Sequence, residues 1–121
     1  MEIFISGNTP SSKNSQQWTG RYLIKSKATQ QYVKASKQEY LDNTDKFLKM
    51  VEGLDKPYNV EFTFIRKSKH RFDYINAAQI VQDLMVKYDW IDDDNMMEMK
   101  PFFADYKYDK ENPGTIIKII K

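Results

Sequence analysis

Cysteine is absent from this 121-residue chain, and histidine occurs once, at His70. Disulfides, zinc ribbons and cysteine nucleophiles are therefore excluded, and no multi-histidine metal site can form within one chain. Any metal ion here must be held by oxygen. Glycine and proline are scarce, four of each, and no glycine-rich phosphate loop is present. No apolar run approaches the length of a membrane span, and the opening MEIFISGNTP lacks the basic region and apolar core of a signal peptide. A cytoplasmic protein without a membrane partner is expected.

What is present suits one folded domain: 40% hydrophobic and 30% charged residues. The net charge of +2 hides a division. Residues 1–71 carry thirteen Lys/Arg against seven Asp/Glu, a balance of +6, while residues 72–121 carry six against ten, a balance of −4. A basic surface that meets a polyanion beside a separate acidic cluster would produce such a split, and so would two solvated faces.

Hydrophobic periodicity orders the chain. Residues 2–6 alternate as a strand, residues 7–20 form a polar, turn-rich loop, and residues 21–25 form a short strand. Apolar residues at helical spacing over 28–52 predict one long amphipathic helix, capped by Ser26 and stopped by Gly53. Residues 58–66 alternate cleanly, with Tyr58, Val60, Phe62 and Phe64 on one side. A helix over 74–88 places Ala77, Ala78, Val81, Leu84, Met85 and Tyr88 on one face, and Asp73, Asn76, Gln79, Asp83 and Lys87 on the other. Strands over 96–103, ended by Pro101, and over 115–121 complete an α+β domain built on a mixed sheet with two main helices.

The informative stretch is RKSKHRFDYINAAQIVQDLMVKYDWIDDDNMM, residues 66–97. Arg66, Lys67, Lys69 and Arg71 precede Asp73, and the helix that follows leads to Asp92, Asp93 and Asp94. Carboxylates hold Mg²⁺ while cations hold a polyanion, so the pattern suits chemistry on phosphate esters. Each part has a plainer reading. Asp73 stands where a helix N-cap belongs, and the aspartate run reads equally as an exposed turn. It is not an EF-hand, because the alternating ligands, central glycine and terminal glutamate are missing. In the first loop, Lys13 can reach a phosphate, and Trp18 can stack on a base or anchor the loop.

With these residues in view, the chain resembles the RusA family of Holliday junction resolvases, common in phages and prophages. The family joins a proline-containing Ser-Lys-Asn loop to a basic segment, then Asp-x-Asp-Asn at a helix start, then an Asp-Asp pair. Here those positions are Pro10, Ser12, Lys13 and Asn14; Arg71, Asp73 and Asn76; and Asp93-Asp94 or Asp92-Asp93, with Asp83 within the helix. Two positions depart from the pattern: Ile75 replaces the second aspartate, and Gln79 replaces a frequent helix lysine. The resemblance implies a homodimeric, Mg²⁺-dependent endodeoxyribonuclease, with Mn²⁺ as an alternative ion, that resolves four-way DNA junctions in recombination and repair. It implies catalysis at Asp73, Asp93 and Asp94, metal ligation by these with Asp92 and Asn76, and DNA binding by Lys13, Asn14, Arg66, Lys67, Lys69 and Arg71. The departure at Ile75 removes one ligand, so a junction-binding protein that does not cut is the alternative. A regulatory module that binds a partner through the acidic run is a third reading.

Overall fold

The structure is a computed structural model that describes residues 1–11, 16–18 and 23–121, with no side-chain description for 12–25. It is a small α+β domain with three helices on a mixed, open sheet. The strands are β1 (Glu2–Ser6), β2 (Gln16–Trp18), β3 (Leu23–Lys25), β4 (Tyr58–Arg66), β5 (Met99–Phe103), β6 (Lys107–Tyr108) and β7 (Gly114–Ile119). The helices are α1 (Lys27–Asp42), α2 (Thr44–Met50) and α3 (Tyr74–Lys87). The main sheet runs β1-β7-β4-β5, with β6 also on β4. β7 lies antiparallel to both β1 and β4, whereas β5 and β6 run parallel to β4. No helix among the described residues is long and apolar enough to cross a membrane.

Register explains which side chains are buried. Ile3, Ile117 and Phe62 align across three strands, as do Ile5, Thr115 and Phe64, and all six are fully or almost fully buried. Alternate residues such as Phe4, Ile116 and Thr63 occupy the opposite face. The predicted apolar face of α3 is the buried one, with Ala77, Ala78, Val81, Leu84 and Met85 in the core. Ile80 and Gln82 are buried as well.

Several expectations need correction. The predicted helix over 28–52 is two helices, broken at Asn43. The Asn43 amide donates to Glu39 O at 2.8 Å, and the Thr44 hydroxyl donates to Tyr40 O at 3.0 Å. Such side chains compete with the backbone for the preceding turn's carbonyls and bend or interrupt helices. After the break Phe47 and Met50 face the core, while Leu48, like Leu41 just before the break, is exposed. The predicted loop over 7–20 contains β2, which pairs with β3 as an antiparallel ribbon. Pro101 does not end β5. It lies within the strand, opposite Val60, and is tolerated because an edge strand has one side free of ladder hydrogen bonds.

The turn after α3 is anchored by aromatic packing. Asp89 adopts φ 63, and Trp90 N–H reaches back to Met85 O at 2.8 Å, the helix-ending bond of a Schellman motif. That reversal drives Trp90 inward, onto Phe47 (5.0 Å between centroids) and Tyr40 (5.4 Å). Its indole N–H donates to Thr44 Oγ1 at 2.9 Å, so burying the ring strands no polar group. The acidic residues that follow are thereby fixed relative to α3.

Candidate nucleic-acid interface

The start of α3 is tied on two sides. Oδ1 of Asp73 accepts the N–H groups of Ile75 (2.8 Å) and Asn76 (3.2 Å), satisfying two of the helix's free donors. The Asn76 amide donates to Ser11 O at 3.1 Å, which fastens the segment after β1 against the helix. Arg66, expected among the DNA-binding cations, serves the same junction from inside. It falls on the β4 face shared by Phe62 and Phe64, is 8% exposed, donates to Thr9 O and Ser11 Oγ, and stacks over Phe72 at 4.6 Å. Burial lowers its pKa from the ordinary arginine value. Arg66 is a structural cation, not part of an outer rim.

The three aspartates point to three different partners. Asp92 pairs with Lys56 at 3.2 Å, and Lys56 also holds Glu98 at 3.0 Å. These hydrogen bonds, first to Glu98 and then to Asp92, raise the Lys56 pKa. Asp93 turns back on its own loop, accepting Asp94 N–H at 2.8 Å and the Asn95 amide at 3.1 Å, and the first of these holds its carboxyl below the usual range. Asp94, half-buried, faces α3. There the Gln79 amide nitrogen donates to Asp94 Oδ2 and to Asp83 Oδ1, each at 2.8 Å.

This arrangement differs from the expected metal centre. Asp73, Asn76, Gln79 and Asp83 form one outward ridge, but Gln79 lies six residues beyond Asp73, about 9 Å along the axis. Its amide reaches onward to Asp83, so Asp94 meets the ridge at its far end. Oxygens that share one Mg²⁺ ion must lie within roughly 4 Å of each other, given metal–oxygen distances of about 2.1 Å. Asp73 caps α3, Asp92 pairs with Lys56, Asp93 accepts from its own loop, and the Asn76 amide nitrogen donates to Ser11 O. No group of three or more His, Cys, Asp or Glu able to hold an ion occurs among the described residues. The residues as placed do not fit a shared Mg²⁺ or Mn²⁺ position. The two carboxylates that do converge, those of Asp83 and Asp94, are bridged by a neutral donor.

The cations have a clearer arrangement. Lys67, Lys69, His70 and Arg71 are exposed on the connection between β4 and α3, and Asn8 Oδ1 accepts Lys67 N–H at 2.9 Å. Parallel pairing sets Lys107 beside Ile65 and Tyr108 beside Arg66. Lys69 Nζ stands 5.4 Å from the Tyr108 ring, and exposed Tyr106 packs edge-on against Phe72 at 5.3 Å. Exposed rings thus alternate with exposed cations, the pattern by which proteins hold nucleic-acid bases and backbone together. Sequence reasoning missed Tyr106, Lys107 and Tyr108, whose only signal was two tyrosines at strand spacing around a lysine. Lys13 and Asn14 lie outside the described residues, and so does the Trp18 side chain.

No protein-family model matches the chain, and no curated protein matches it.

Proposed function

We propose that this protein binds branched DNA as a homodimer, in the manner implied by its resemblance to the RusA resolvases, and holds the DNA backbone on the rim formed by Lys67, Lys69, Arg71 and Lys107. The observation that carries this reading is the exposed interleaving of those cations with Tyr106 and Tyr108 beside the start of α3. A two-fold dimer suits a four-way junction, because two equivalent surfaces meet two equivalent strands. Binding without cutting is the better reading, because the carboxylates do not gather around one ion position.

The cutting reading, Mg²⁺- or Mn²⁺-dependent hydrolysis of two symmetric strands, has one observation in its favour: Asp83 and Asp94 converge on the ridge that Asp73 begins. One assay separates the two. Labelled four-way DNA is titrated with protein at several salt concentrations, with and without Mg²⁺ or Mn²⁺. Neutralising about four phosphates per protomer, about eight per dimer, gives a log–log salt slope near −7.2, an affinity loss of about 20,000-fold between 50 and 200 mM. Lys69→Ala with Arg71→Ala, carried by both protomers, should reduce the slope by about 3.6. Binding without nicks supports the preferred reading, paired symmetric nicks support the nuclease, and an absence of junction binding overturns both.

A further inference from the structure

A cavity of about 440 Å³ opens beside the acidic turn, between α3, the start of β4 and the edge strand β5. Its volume lies in the range typical of ligand sites. Pro57, Pro101, Met96 and Met99 supply apolar surface, and Asp94 and Lys100 supply charges of opposite sign. Gln82 supplies an amide that is 8% exposed and whose one hydrogen-bond partner among the described residues is Met99 Sδ, at 3.5 Å. A thioether is a weak acceptor, and amides this buried ordinarily have oxygen partners. This one lines a cavity instead.

We propose that the cavity receives one unpaired nucleobase bearing an exocyclic amino group, adenine or cytosine, from DNA held on the rim. The inference rests on the DNA-binding reading above: the rim follows the end of β4 and the cavity lies at its start, about 27 Å apart at about 3.3 Å per residue, so the DNA would run along β4 from one to the other. A flat ring fits between proline rings and methionine sulfurs, which make favourable contacts with aromatic edges and faces. The Gln82 amide then donates to a ring acceptor in place of the thioether. Asp94, with Oδ2 held by Gln79, has Oδ1 to accept from the exocyclic amino group. Lys100, exposed on β5, meets the adjoining phosphate. Thymine and an abasic residue both lack the amino group.

The test uses duplexes that carry a single-nucleotide bulge of adenine, thymine or an abasic residue, read by fluorescence anisotropy alongside a fully paired four-way junction. Wild type should bind the adenine bulge at least about tenfold more tightly than the abasic one. Gln82→Met, nearly isosteric, and Lys100→Ala, on the surface, should each reduce that ratio while leaving junction affinity unchanged. In methyl-labelled protein the Met96 and Met99 signals should move upfield with the adenine bulge alone, which a purely structural glutamine would not produce. Equal affinity for all three bulges, or a ratio that survives Gln82→Met, overturns the base site while the rim stands. Failure to bind even the paired junction overturns the rim reading itself.

Discussion

Replacing Gln79 with glutamate tests the bridged pair directly. In the native protein one amide nitrogen lies 2.8 Å from both Asp83 Oδ1 and Asp94 Oδ2. Gln79→Glu removes two hydrogen bonds to carboxylates and sets a third negative charge between them. The lost bonds are each worth about 0.5–1 kcal/mol, because Gln79 and Asp83 are exposed and water recovers part of the interaction. Each new like-charge pair at about 4 Å adds roughly 1 kcal/mol of repulsion at the dielectric of water. Together the substitution should destabilise the fold by about 3–4 kcal/mol, a fall in Tm of about 14 °C for a domain of this size. Gln79→Ala loses only the hydrogen bonds and should fall by about half as much. The variants separate further on adding Mn²⁺. Three converging carboxylates make an oxygen site, and an ion at about 100 times its dissociation constant restores about 2.7 kcal/mol. Thermal melts of the wild type and both variants, in chelator and in Mn²⁺, read the result. If Gln79→Glu melts with the wild type in chelator, the carboxylates are not adjacent. If Mn²⁺ raises Gln79→Ala as much as Gln79→Glu, the ion binds elsewhere and the reasoning fails.

Asp89 holds the left-handed position that ends α3, at φ 63, so Asp89→Gly should raise stability by about 0.5–1 kcal/mol in chemical denaturation, the relief of strain exceeding the added chain entropy; a loss of stability would refute this. Burial raises the pKa of Tyr32, and raises that of Tyr40 well above its ordinary value. Their stabilising contribution is therefore complete below pH about 10 and is lost as pH rises through the folded-state values. Melting temperature should fall beyond pH 10 and fall less steeply in Tyr40→Phe, and equal slopes would refute the assignment.

Much of this fold was legible from periodicity, where one rule governs a whole element. The alternation over 58–66 matches β4, and helical arithmetic sorts α3 into its buried and outward faces because no neighbour competes with the pattern. The break at Asn43 was hidden because side chains, not the hydrophobic pattern, interrupt the helix. Arg66 was misread because a charged residue in a basic run suggests a surface, whereas its strand position shares the face of Phe62 and Phe64 and its charge meets backbone and hydroxyl oxygens inside. The aspartate run announces an acidic turn, but which member faces α3 depends on Trp90 and the reversal at Asp89, contacts between segments far apart in sequence. Gln79 stands out in the sequence for the lysine it replaces, while its role as a bridge depends on the turn that brings Asp94 back onto α3.

The two departures from the resolvase pattern share a property that bears on function. Ile75 is 65% exposed, and Gln79 is exposed on the same outward side of α3. Neither is required by the core, so an acid at 75 or a lysine at 79 would be compatible with the same helix, and a carboxylate in its first turn would gain from the helix dipole. The substitutions therefore act on the chemistry of the ridge and not on its packing. Isoleucine withholds a negative charge two residues from Asp73 and close in sequence to Lys69 and Arg71, which eases the approach of a phosphate and removes a ligand. Glutamine at 79 removes a positive charge and instead pairs the two carboxylates that remain. Loss of the acid at 75 lowers the capacity to hold a metal ion and eases the approach of a phosphate, whereas loss of a lysine at 79 takes away one cationic contact to a phosphate; the missing ligand at 75 is therefore the departure that favours the proposed grip on branched DNA over its cleavage.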